Sequence, residues 1–492
     1  MDHTSDKGLI DWTRLRRIFG ALCLIFFATT FSAGAAEPTV SLRDMQTLLR
    51  DSDFDALEQR FADLEQAYSD GEVSDLIIHR GYTSFAVANP AFEALLDAWI
   101  NAKPESHRPF IAHGLFHSNL GWLDRGGRFF NETSDQRIEL MRKNFAIAEA
   151  SLERALQLKP DTGVAYASLI NMNMAAGDRE TINRLFRKGV DADPNSFTVR
   201  RAIWNAMLPW WGGYRQDPRV FGIDEPLPDT AALGYPIEIP EAMLRFGQFI
   251  NNSPNSSPHL APLRGFTDYA VAIILRRDGR ELEAANFFKR AMTHGEYWFF
   301  HSNEGQNLSR MKRYNDAIAS YTRSLEIWPD NTHVLERRAQ AYRSLKAYDK
   351  ALTDADQALA LNPRDPDLLL LKANTLWGDG KFKAAVRVLD DAMLYGSLDD
   401  DIWDARGRLY LYRLKNFKRA AADFKRATEL EPTNHNYWYS YASALFRAID
   451  CETVPAYKTY LEVCKKHGND CFDEGVKYAR EVTQHLVDSG KC

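Results

Sequence analysis

The sequence predicts an all-α fold, a solenoid of stacked helix–turn–helix hairpins in two helical halves. Three observations support this prediction. A pattern of small and large residues recurs every ~34 residues, proline follows most copies of the pattern, and hydrophobic residues make up 45% of the chain, as is typical of a folded protein. A single hairpin leaves one apolar face uncovered, so several hairpins must stack to bury a continuous core.

The recurring pattern places two small residues on one helix, usually with a larger residue between them. Two consecutive copies are Ala317, Tyr321, Ser324 and Pro329, and Ala351, Ala355, Ala358 and Pro363. Further copies begin at Ala148, Ile182 and Ala420, and weaker copies without the proline begin at Ala284 and Ala385. Small residues allow two helices to approach closely, the larger residue fills the space between them, and the proline ends the second helix.

This pattern resembles the tetratricopeptide repeat (TPR), a helix–turn–helix unit of ~34 residues. The resemblance is carried by Gly305 and by the segments Tyr348–Leu352 and Ala427–Pro432. It implies units at 129–162, 163–196, 265–297, 298–331, 332–365, 366–400 and 401–434, followed by an atypical hairpin from Asn436. The last unit has one extra residue between Gly407 and Ala420, which predicts a shifted or bulged first helix.

Other motifs in residues 45–215 depart from the TPR pattern, namely Leu96–Trp99, Pro104–Ser106, Gly121–Gly126 and Leu208–Tyr214. Together they resemble a bacterial family known only as a domain of unknown function, seen on exported proteins with TPR-like helices. The resemblance implies a localisation and a helical fold, and it brings no activity with it.

A run of prolines between residues 215 and 262 predicts a boundary between the two helical halves, interrupted by a short helix near residues 241–250. The predicted organisation is a signal peptide (1–36), a TPR-like helical domain of unknown function (37–214), a proline-rich linker (215–262), a TPR array (263–450) and a cysteine-stapled helical cap (451–492).

The first 36 residues have the features of a cleaved signal peptide. Basic residues Arg14, Arg16 and Arg17 precede an uncharged apolar run at 18–31, and small residues at 32–36 offer a signal-peptidase site. The apolar run is shorter than the ~20 residues that a membrane-spanning helix needs, which makes an uncleaved anchor the less favoured alternative. We therefore expect a periplasmic or secreted bacterial protein whose mature chain does not insert into the membrane.

Charge argues against two classes of partner. Cleavage after residue 36 removes four basic and three acidic side chains, so the mature chain has a net charge of −6 − 1 = −7. Proteins that bind nucleic acid need a basic stripe to neutralise phosphates, and anionic membrane surfaces attract basic patches for the same reason. Neither nucleic acid nor a membrane surface is an expected partner.

Four cysteines remain in the predicted mature chain, all near the C terminus: Cys451, Cys464, Cys471 and Cys492. An even number in an exported chain predicts two disulfides, with a metal site as the alternative. A helix over 454–466 would hold Cys451 and Cys464 ~20 Å apart, which is beyond the ~7 Å that a disulfide allows between Cα atoms. A turn at 467–470 followed by a second helix predicts the nested pairs Cys464–Cys471 and Cys451–Cys492.

The TPR resemblance also implies a binding groove, because the first helix of each unit lines the concave wall of a TPR superhelix. The implied groove residues are Phe299, Gln306, Arg310, Glu336, Gln340, Arg343, Asn374, Trp377, Tyr412 and Arg413. Their mixture of amides, arginines and aromatic rings suits an extended peptide. The alternative is a solvated face. The Lys/Asn/Arg set with which some TPR domains clamp a C-terminal carboxylate is not reproduced, so that function is not carried over.

Two other clusters are candidates for chemistry. Trp210, Trp211 and Tyr214 follow a proline and flank two glycines, so they are predicted on an irregular turn that either stacks on a sugar or peptide or plugs the end of the first helical run. His113 and His117 stand four residues apart, which is the spacing of metal ligands on one helix face. Because the segment lacks the glutamate of the zinc-protease motif, packing at a helix interface is the favoured interpretation, and no metal is predicted.

The sequence has no Walker-type phosphate loop, no G-x-S-x-G elbow and no dinucleotide fingerprint. We therefore predict an exported scaffold, without catalytic residues or cofactor, that binds an unidentified protein or peptide. The first alternative is an envelope carbohydrate or polymer binder that uses the aromatic turn. The second is a metal-dependent enzyme centred on His113 and His117.

Overall fold

The computed structural model describes residues 40–125, 133–208, 211, 221, 241–252, 258–467, 471 and 473–490. These residues form 23 α-helices with one 3₁₀ and one π segment, and no β-strand occurs among them. None of the described helices is both long and apolar enough to cross a membrane. The predicted signal peptide lies outside the described residues.

Nine helices form the N-terminal half of the protein. They are α1 (Leu42–Arg50), α2 (Phe54–Ser69), α3 (Asp75–Thr83), α4 (Ala91–Ala102), α5 (His107–Arg125), α6 (Asp135–Leu158), α7 (Gly163–Ala176), α8 (Arg179–Ala192) and α9 (Phe197–Ala206). Several begin at a residue whose side chain accepts a hydrogen bond from the first turn, for example Asp53 before α2 and Ser196 before α9. Such caps satisfy backbone N–H groups that have no partner inside the helix.

Fourteen helices form the C-terminal half, and a 3₁₀ segment at Pro258–Gly265 lies between the first and the second of them. They are α10 (Glu241–Asn252), α11 (Phe266–Arg277), α12 (Glu281–Met292), α13 (Trp298–Arg310), α14 (Tyr314–Ile327), α15 (Thr332–Ser344), α16 (Tyr348–Leu361), α17 (Pro366–Gly378), α18 (Phe382–Met393), α19 (Asp400–Arg408), α20 (Phe417–Leu430), α21 (His435–Ala448), α22 (Thr453–His467) and α23 (Asp473–Asp488). The bounds of α11–α20 follow the five predicted units from 265 to 434 closely, but the predicted unit 129–162 is wrong, because it contains the single helix α6, which forms its hairpin with α5.

Each unit of the array is a pair of helices joined by a short turn, and each pair packs against the next. The predicted all-α TPR solenoid is therefore confirmed. Close packing explains the small residues of the pattern. A Cβ atom added to Gly305 on α13 would lie 2.6 Å from Cε1 of Tyr321 on α14. Because Tyr321 is 1% exposed, its ring has little room to move away.

The extra residue in the last predicted unit is accommodated as a π segment. Helix α19 continues as a π-helix over Leu409–Leu414 and ends at Lys415, whose φ of 55° is left-handed. The Lys415 N–H donates to the carbonyl oxygen of Tyr410. A π turn adds one residue without breaking the helix. The predicted bulge is thereby confirmed, and Ala420 keeps its fully buried place against the preceding helix.

A continuous core joins the two halves. The Trp204 ring on α9 lies with its centroid 4.9 Å from that of Phe266 on α11, and the two residues belong to the same buried cluster. Helix α10 contributes Met243, Phe246 and Ile250 to that cluster. The segment predicted as a linker thus contains a packed helix. Its prolines lie outside α10, while apolar residues at helical spacing within α10 direct one face into the core.

The N-terminal half also contacts the turns that connect successive hairpins of the array. Three hydrogen bonds of 3.2, 3.0 and 3.1 Å join the Leu42 N–H to Asp330 Oδ2, the Ala88 N–H to Asn362 Oδ1, and Arg137 Nη1 to the Leu398 carbonyl. These contacts hold α1, the segment before α4 and α6 against one edge of the array. A cavity remains between the two parts.

Cysteines close the last hairpin. Cys464, at the end of α22, and Cys471 form a disulfide with Cα atoms 5.7 Å apart. This is the predicted inner pair. Cys492 lies outside the described residues, so the outer pair Cys451–Cys492 stays a prediction.

Candidate functional site

First helices of neighbouring hairpins contact one another along the array, as α13, α15, α17 and α19 do. Six of the groove residues implied by the sequence lie on α13 and α15. Gln306 Nε2 lies 3.4 Å from His333 Nε2, and Gln340 donates to Glu336 Oε1 at 2.6 Å. Arg337 Nη1 in turn donates to Gln340 Oε1 at 3.3 Å. These five side chains form a polar strip, which we call the groove wall.

Three more of these residues already have partners within the chain. Arg310 donates to Glu281 Oε1 at 3.0 Å, the Arg413 guanidinium lies 5.4 Å from the Phe382 ring centroid, and the Trp377 ring lies 5.6 Å from the Arg408 guanidinium. Of the remainder, Arg343 and Asn374 are half-buried and Tyr412 is 46% exposed. A peptide could meet these residues only by replacing or extending existing contacts.

Phe299 is a core residue, and its assignment to the groove is wrong. Its side chain is 5% exposed and packs between Phe300 and Phe266, at centroid distances of 4.7 and 5.3 Å. The TPR position that faces the groove in an isolated array is here covered by the junction with the N-terminal half. Sequence spacing alone could not reveal that cover.

A cavity of about 810 Å³ lies between the N-terminal half and the turns of the array, and we call it the inter-half cavity. Its walls include the ends of α5 and α6 on one side and residues 394–401 on the other. Among the charged residues of its lining, seven are acidic and two, Arg125 and Arg137, are basic. The acidic residues are Asp124, Asp367, Asp399, Asp400, Asp401, Glu429 and Glu431. The sequence analysis missed this cavity because these residues come from four separate segments.

Burial and mutual repulsion raise the pKa of acids in this cavity. Burial, followed by the charges of Asp367 and Asp401, raises the pKa of Asp399 to about 6. Burial also raises the pKa of Asp367. Burial, and to a lesser degree the charge of Asp367, raises the pKa of Glu336 in the groove wall. The groove wall and the inter-half cavity therefore share one negative electrostatic region.

Arg137 is one of the two arginines that the N-terminal half contributes to this region. Its guanidinium donates to three backbone carbonyls, those of Asp124 at 2.6 Å, Leu398 at 3.1 Å and Leu123 at 3.2 Å. Its charge lowers the pKa of both Asp367 and Asp399, but less than burial raises them. One fixed arginine thus offsets the acidic charge only in part.

The aromatic turn can be placed only at Trp211, because Trp210 and Tyr214 lie outside the described residues. Trp211 packs edge-on against Trp122 at 5.9 Å, and the Arg125 guanidinium lies 5.5 Å from the centroid of each ring. Trp211 therefore closes the end of the first helical run, and its ring is in contact with protein. This placement favours the plug interpretation over the sugar platform.

His113 and His117 lie on one face of α5, opposite two carboxylates of α4. His113 Nε2 is 3.7 Å from Asp97 Oδ1, and His117 Nε2 is 3.5 Å from Glu93 Oε1. The sequence interpretation found no carboxylate near these histidines, because the two acids precede them on a separate helix. The spacing of four residues on both helices was the available clue.

The comparisons with known families agree with the two sets of motifs. Residues 41–210 match the family described as Domain of unknown function (DUF4034). Residues 343–409 match one Tetratricopeptide repeat family, and residues 303–367 and 405–448 match another. The chain therefore carries TPR repeats behind an N-terminal domain of unknown function, as the motifs predicted.

Relatives among curated proteins share only short segments with the chain. It is 32% identical over 121 residues to the DnaJ homolog subfamily C member 7 homolog of Schizosaccharomyces pombe, covering 24% of this chain and 25% of the relative. It is 37% identical over 60 residues to Small glutamine-rich tetratricopeptide repeat-containing protein 2 of Saccharomyces cerevisiae, covering 12% and 17%. The chain thus spans a quarter or less of the length of these two relatives.

Solved structures give similarly distant matches. A tetratricopeptide repeat protein from Parabacteroides merdae is 18% identical, with 49% of this chain and 93% of that chain covered and a TM-score of 0.37. A thermophilic TPR protein from Thermus thermophilus is 21% identical, with 37% and 99% covered and a TM-score of 0.33. The assignment of the fold therefore rests on the helix packing and on the repeat families.

Proposed function

We propose that this chain is an exported, non-enzymatic scaffold that binds a basic peptide segment of a partner protein. The segment occupies the inter-half cavity and continues along the groove wall. The observation that carries this proposal is the lining of the cavity, which includes seven acidic residues and two arginines. Lysine and arginine side chains are the complement of such a surface.

Electrostatics favours a ligand with several positive charges. The charge of Asp367 raises the pKa of Asp399, and that of Asp401 raises the pKa of both, so a bound cation stabilises charges that otherwise repel. A single exposed ion pair contributes only ~0.2–1 kcal/mol. Useful affinity therefore requires several pairs at once, and a peptide with alternating basic residues supplies them.

Size and neighbouring groups favour an extended peptide. A cavity of about 810 Å³ holds a few side chains but is too small for a folded domain. The adjoining groove wall offers the amides of Gln306 and Gln340, which are suited to backbone N–H and C=O groups of an extended chain. Asn374 on α17 is half-buried and adds a third amide.

Export and the lack of catalysis are parts of the same proposal. The predicted signal peptide at 1–36 supports export, and so does the Cys464–Cys471 disulfide, because disulfides persist in oxidising compartments. TPR repeats are generally binding modules, which supports a scaffold. The partner is expected to be a protein of the same compartment.

Fluorescence anisotropy with a labelled lysine- and arginine-rich dodecapeptide tests the proposal. We expect the peptide to bind, its glutamine-substituted counterpart not to bind, and the affinity to fall as salt rises. The double variant Asp367→Asn/Asp399→Asn should weaken binding roughly tenfold. The matched control is Asp349→Asn, an exposed acid on α16 outside the cavity, which should bind like the unsubstituted chain. Equal affinity for the basic and neutral peptides would overturn the proposal.

A second measurement examines the groove wall and the native partner. The mature protein is cross-linked in its own periplasm and the co-purifying proteins are identified by mass spectrometry. We expect one partner with a basic segment, and we expect Gln340→Ala with Arg343→Ala to reduce its recovery. A partner that lacks such a segment, or recovery that the substitutions leave unchanged, contradicts the proposed site.

A further inference from the structure

Four side chains with metal-binding chemistry meet between α4 and α5. Glu93 and Asp97 are four residues apart on α4, and His113 and His117 are four residues apart on α5, so each pair shares one helix face. Across the two helices, Glu93 lies 3.5 Å from His117 and Asp97 lies 3.7 Å from His113, so the two acids face the two histidines. The two imidazole centroids are 4.6 Å apart.

The hydrogen bonds of Asn144 fix the tautomer of His117. The Asn144 amide nitrogen donates to Asp124 Oδ2 at 2.7 Å, which can only accept when ionised. The amide oxygen therefore points at His117 Nδ1, 2.8 Å away, and Nδ1 must carry a hydrogen to donate to it. In the neutral ring, His117 Nε2 is then an unprotonated nitrogen with its lone pair directed away from Asn144.

That lone pair faces a carboxylate. His117 Nε2 is buried without a hydrogen-bond partner, the side chain is 3% exposed, and its nearest charged atom is Glu93 Oε1 at 3.5 Å. Two electron-rich atoms directed at each other in a buried site repel one another. A cation bound by both atoms removes the repulsion, and a proton on Nε2 would do the same.

We propose that Glu93, Asp97, His113 and His117 bind a divalent transition-metal ion such as Zn²⁺. Both histidines would bind through Nε2, and the two carboxylates through one oxygen each. This set of two imidazoles and two carboxylates suits Zn²⁺ in a four-coordinate site. The site is separate from the inter-half cavity, so the inference does not depend on the proposed function.

The distance within each His–carboxylate pair fits two ligands of one ion. Ligand atoms bonded to one ion at ~2.1 Å in a tetrahedral site lie on the order of 3.4 Å apart, close to the two distances observed here. The Nδ1 atoms are held from behind, His113 by Ser151 Oγ at 2.8 Å and His117 by Asn144. Metal-binding histidines characteristically have such a partner on the other ring nitrogen.

Completing the four-ligand site requires the two carboxylate side chains to move. As the side chains stand, no group of three or more His, Cys, Asp or Glu residues among those that the structure describes is placed to hold a metal ion, and these four form two separate pairs. The carboxylate side chains, 50% and 57% exposed, are free enough to rotate and close the site.

Metal stoichiometry of the oxidised, untagged mature chain provides the test. The protein is stripped with EDTA, equilibrated with ZnCl₂, dialysed and measured by plasma mass spectrometry, with calorimetry for affinity. We expect about one tightly bound Zn²⁺ per chain, and Co²⁺ in its place should give the visible absorption of a tetrahedral site. Glu93→Gln with Asp97→Asn, both partly exposed positions, should lower the affinity at least tenfold, and His113→Ala with His117→Ala should abolish binding.

The matched control is His294→Ala, at an exposed histidine outside the cluster, which should bind one ion with unchanged affinity. Circular dichroism of every variant separates loss of metal ligands from loss of fold. If the double histidine variant does not fold, the carboxylate variant still tests the site, because its substitutions lie at exposed positions. Absence of bound Zn²⁺ in the unsubstituted chain, or equal binding by the carboxylate variant, would overturn the inference and leave protonated ion pairs as the role of the cluster.

Discussion

The side-chain oxygen of Asn362 accepts a hydrogen bond from the backbone N–H of Ala88 at 3.0 Å, across 274 residues of sequence. Asn362 lies in the turn between α16 and α17 and is 8% exposed. Its amide nitrogen donates to Asp365 Oδ2 at 2.9 Å, which fixes the orientation of the amide. Next to it, the Leu361 carbonyl accepts from Gln46 Nε2 at 2.9 Å. One turn of the array is thus bonded to two segments of the N-terminal half.

Replacing Asn362 with alanine should lower the free energy of unfolding by about 1–3 kcal/mol, because the buried Ala88 N–H loses its acceptor. Urea unfolding followed by circular dichroism measures the change. The control is Asn436→Ala, at an exposed position of α21, which should unfold as the unsubstituted chain does. An unchanged midpoint for Asn362→Ala would show that this contact adds nothing to stability.

Gly305→Ala should destabilise the array by about 1–3 kcal/mol, since the new methyl group would meet the Tyr321 ring at 2.6 Å. Thermal unfolding measures the loss. Tyr321→Leu supplies the control, because a smaller side chain leaves room for the methyl group. In that background Gly305→Ala should cost less. Additive losses in the double variant would contradict a direct clash.

Removing the inner disulfide with Cys464→Ala and Cys471→Ser should destabilise the terminal hairpin by roughly 2–3 kcal/mol, the chain-entropy estimate for so short a loop. Thermal unfolding under non-reducing conditions measures the difference from the unsubstituted chain. With reductant present both proteins lack the bridge, and the difference should largely disappear. A difference that persists under reductant would have to come from packing around Cys464.

Asp399→Asn should stabilise the fold at pH 8. The pKa of Asp399 is raised to about 6 from its ordinary 3.8, so the folded protein binds a proton more readily than the unfolded chain. The contribution of Asp399 to the free energy of unfolding therefore falls as the pH rises from about 4 to about 6. Above about pH 6 the ionised carboxylate continues to destabilise the folded protein by the full amount. The variant removes up to ~3 kcal/mol of that destabilisation and keeps the oxygen that accepts from the Asp401 N–H.

Urea midpoints of both proteins at pH 8 and pH 4 measure this prediction. The advantage of Asp399→Asn should be largest at pH 8 and should shrink as the pH falls below about 6. An advantage that is the same at both values would mean that the charge of Asp399 is not its source.

The same titration predicts that the basic dodecapeptide binds more weakly at pH 5 than at pH 8.

Local patterns in the sequence were enough to predict the hairpins. Ala317, Tyr321 and Ser324 report contacts between adjacent helices, and such contacts recur at fixed spacing, so both the units and the bulge before Ala420 were predictable. The inner disulfide was predictable because one helix holds Cys451 and Cys464 too far apart to bond, while a short turn brings Cys464 close to Cys471. In each case the interacting residues are near one another in the chain.

Contacts between distant segments could not be predicted in this way. The inter-half cavity joins Asp124 to Asp367 and Asp399, and no periodicity relates these positions. Phe299 was placed in the groove by repeat position and lies in the core, because the N-terminal half covers that part of α13. The contact between Glu93 and His117 was missed for a similar reason. Glu93 lies on α4 and His117 on α5, and the sequence does not show how these two helices pack against each other.

The bonds from Leu42, Ala88 and Arg137 reach three successive turns of the array, at Asp330, Asn362 and Leu398. A solenoid whose repeats contact only their neighbours behaves as an elastic coil, which lengthens and bends along its axis. We expect these three bonds to resist such deformation more strongly between residues 330 and 398 than beyond residue 435. The spacing of the acidic side chains around Asp399 should then change little when the terminal hairpins bend.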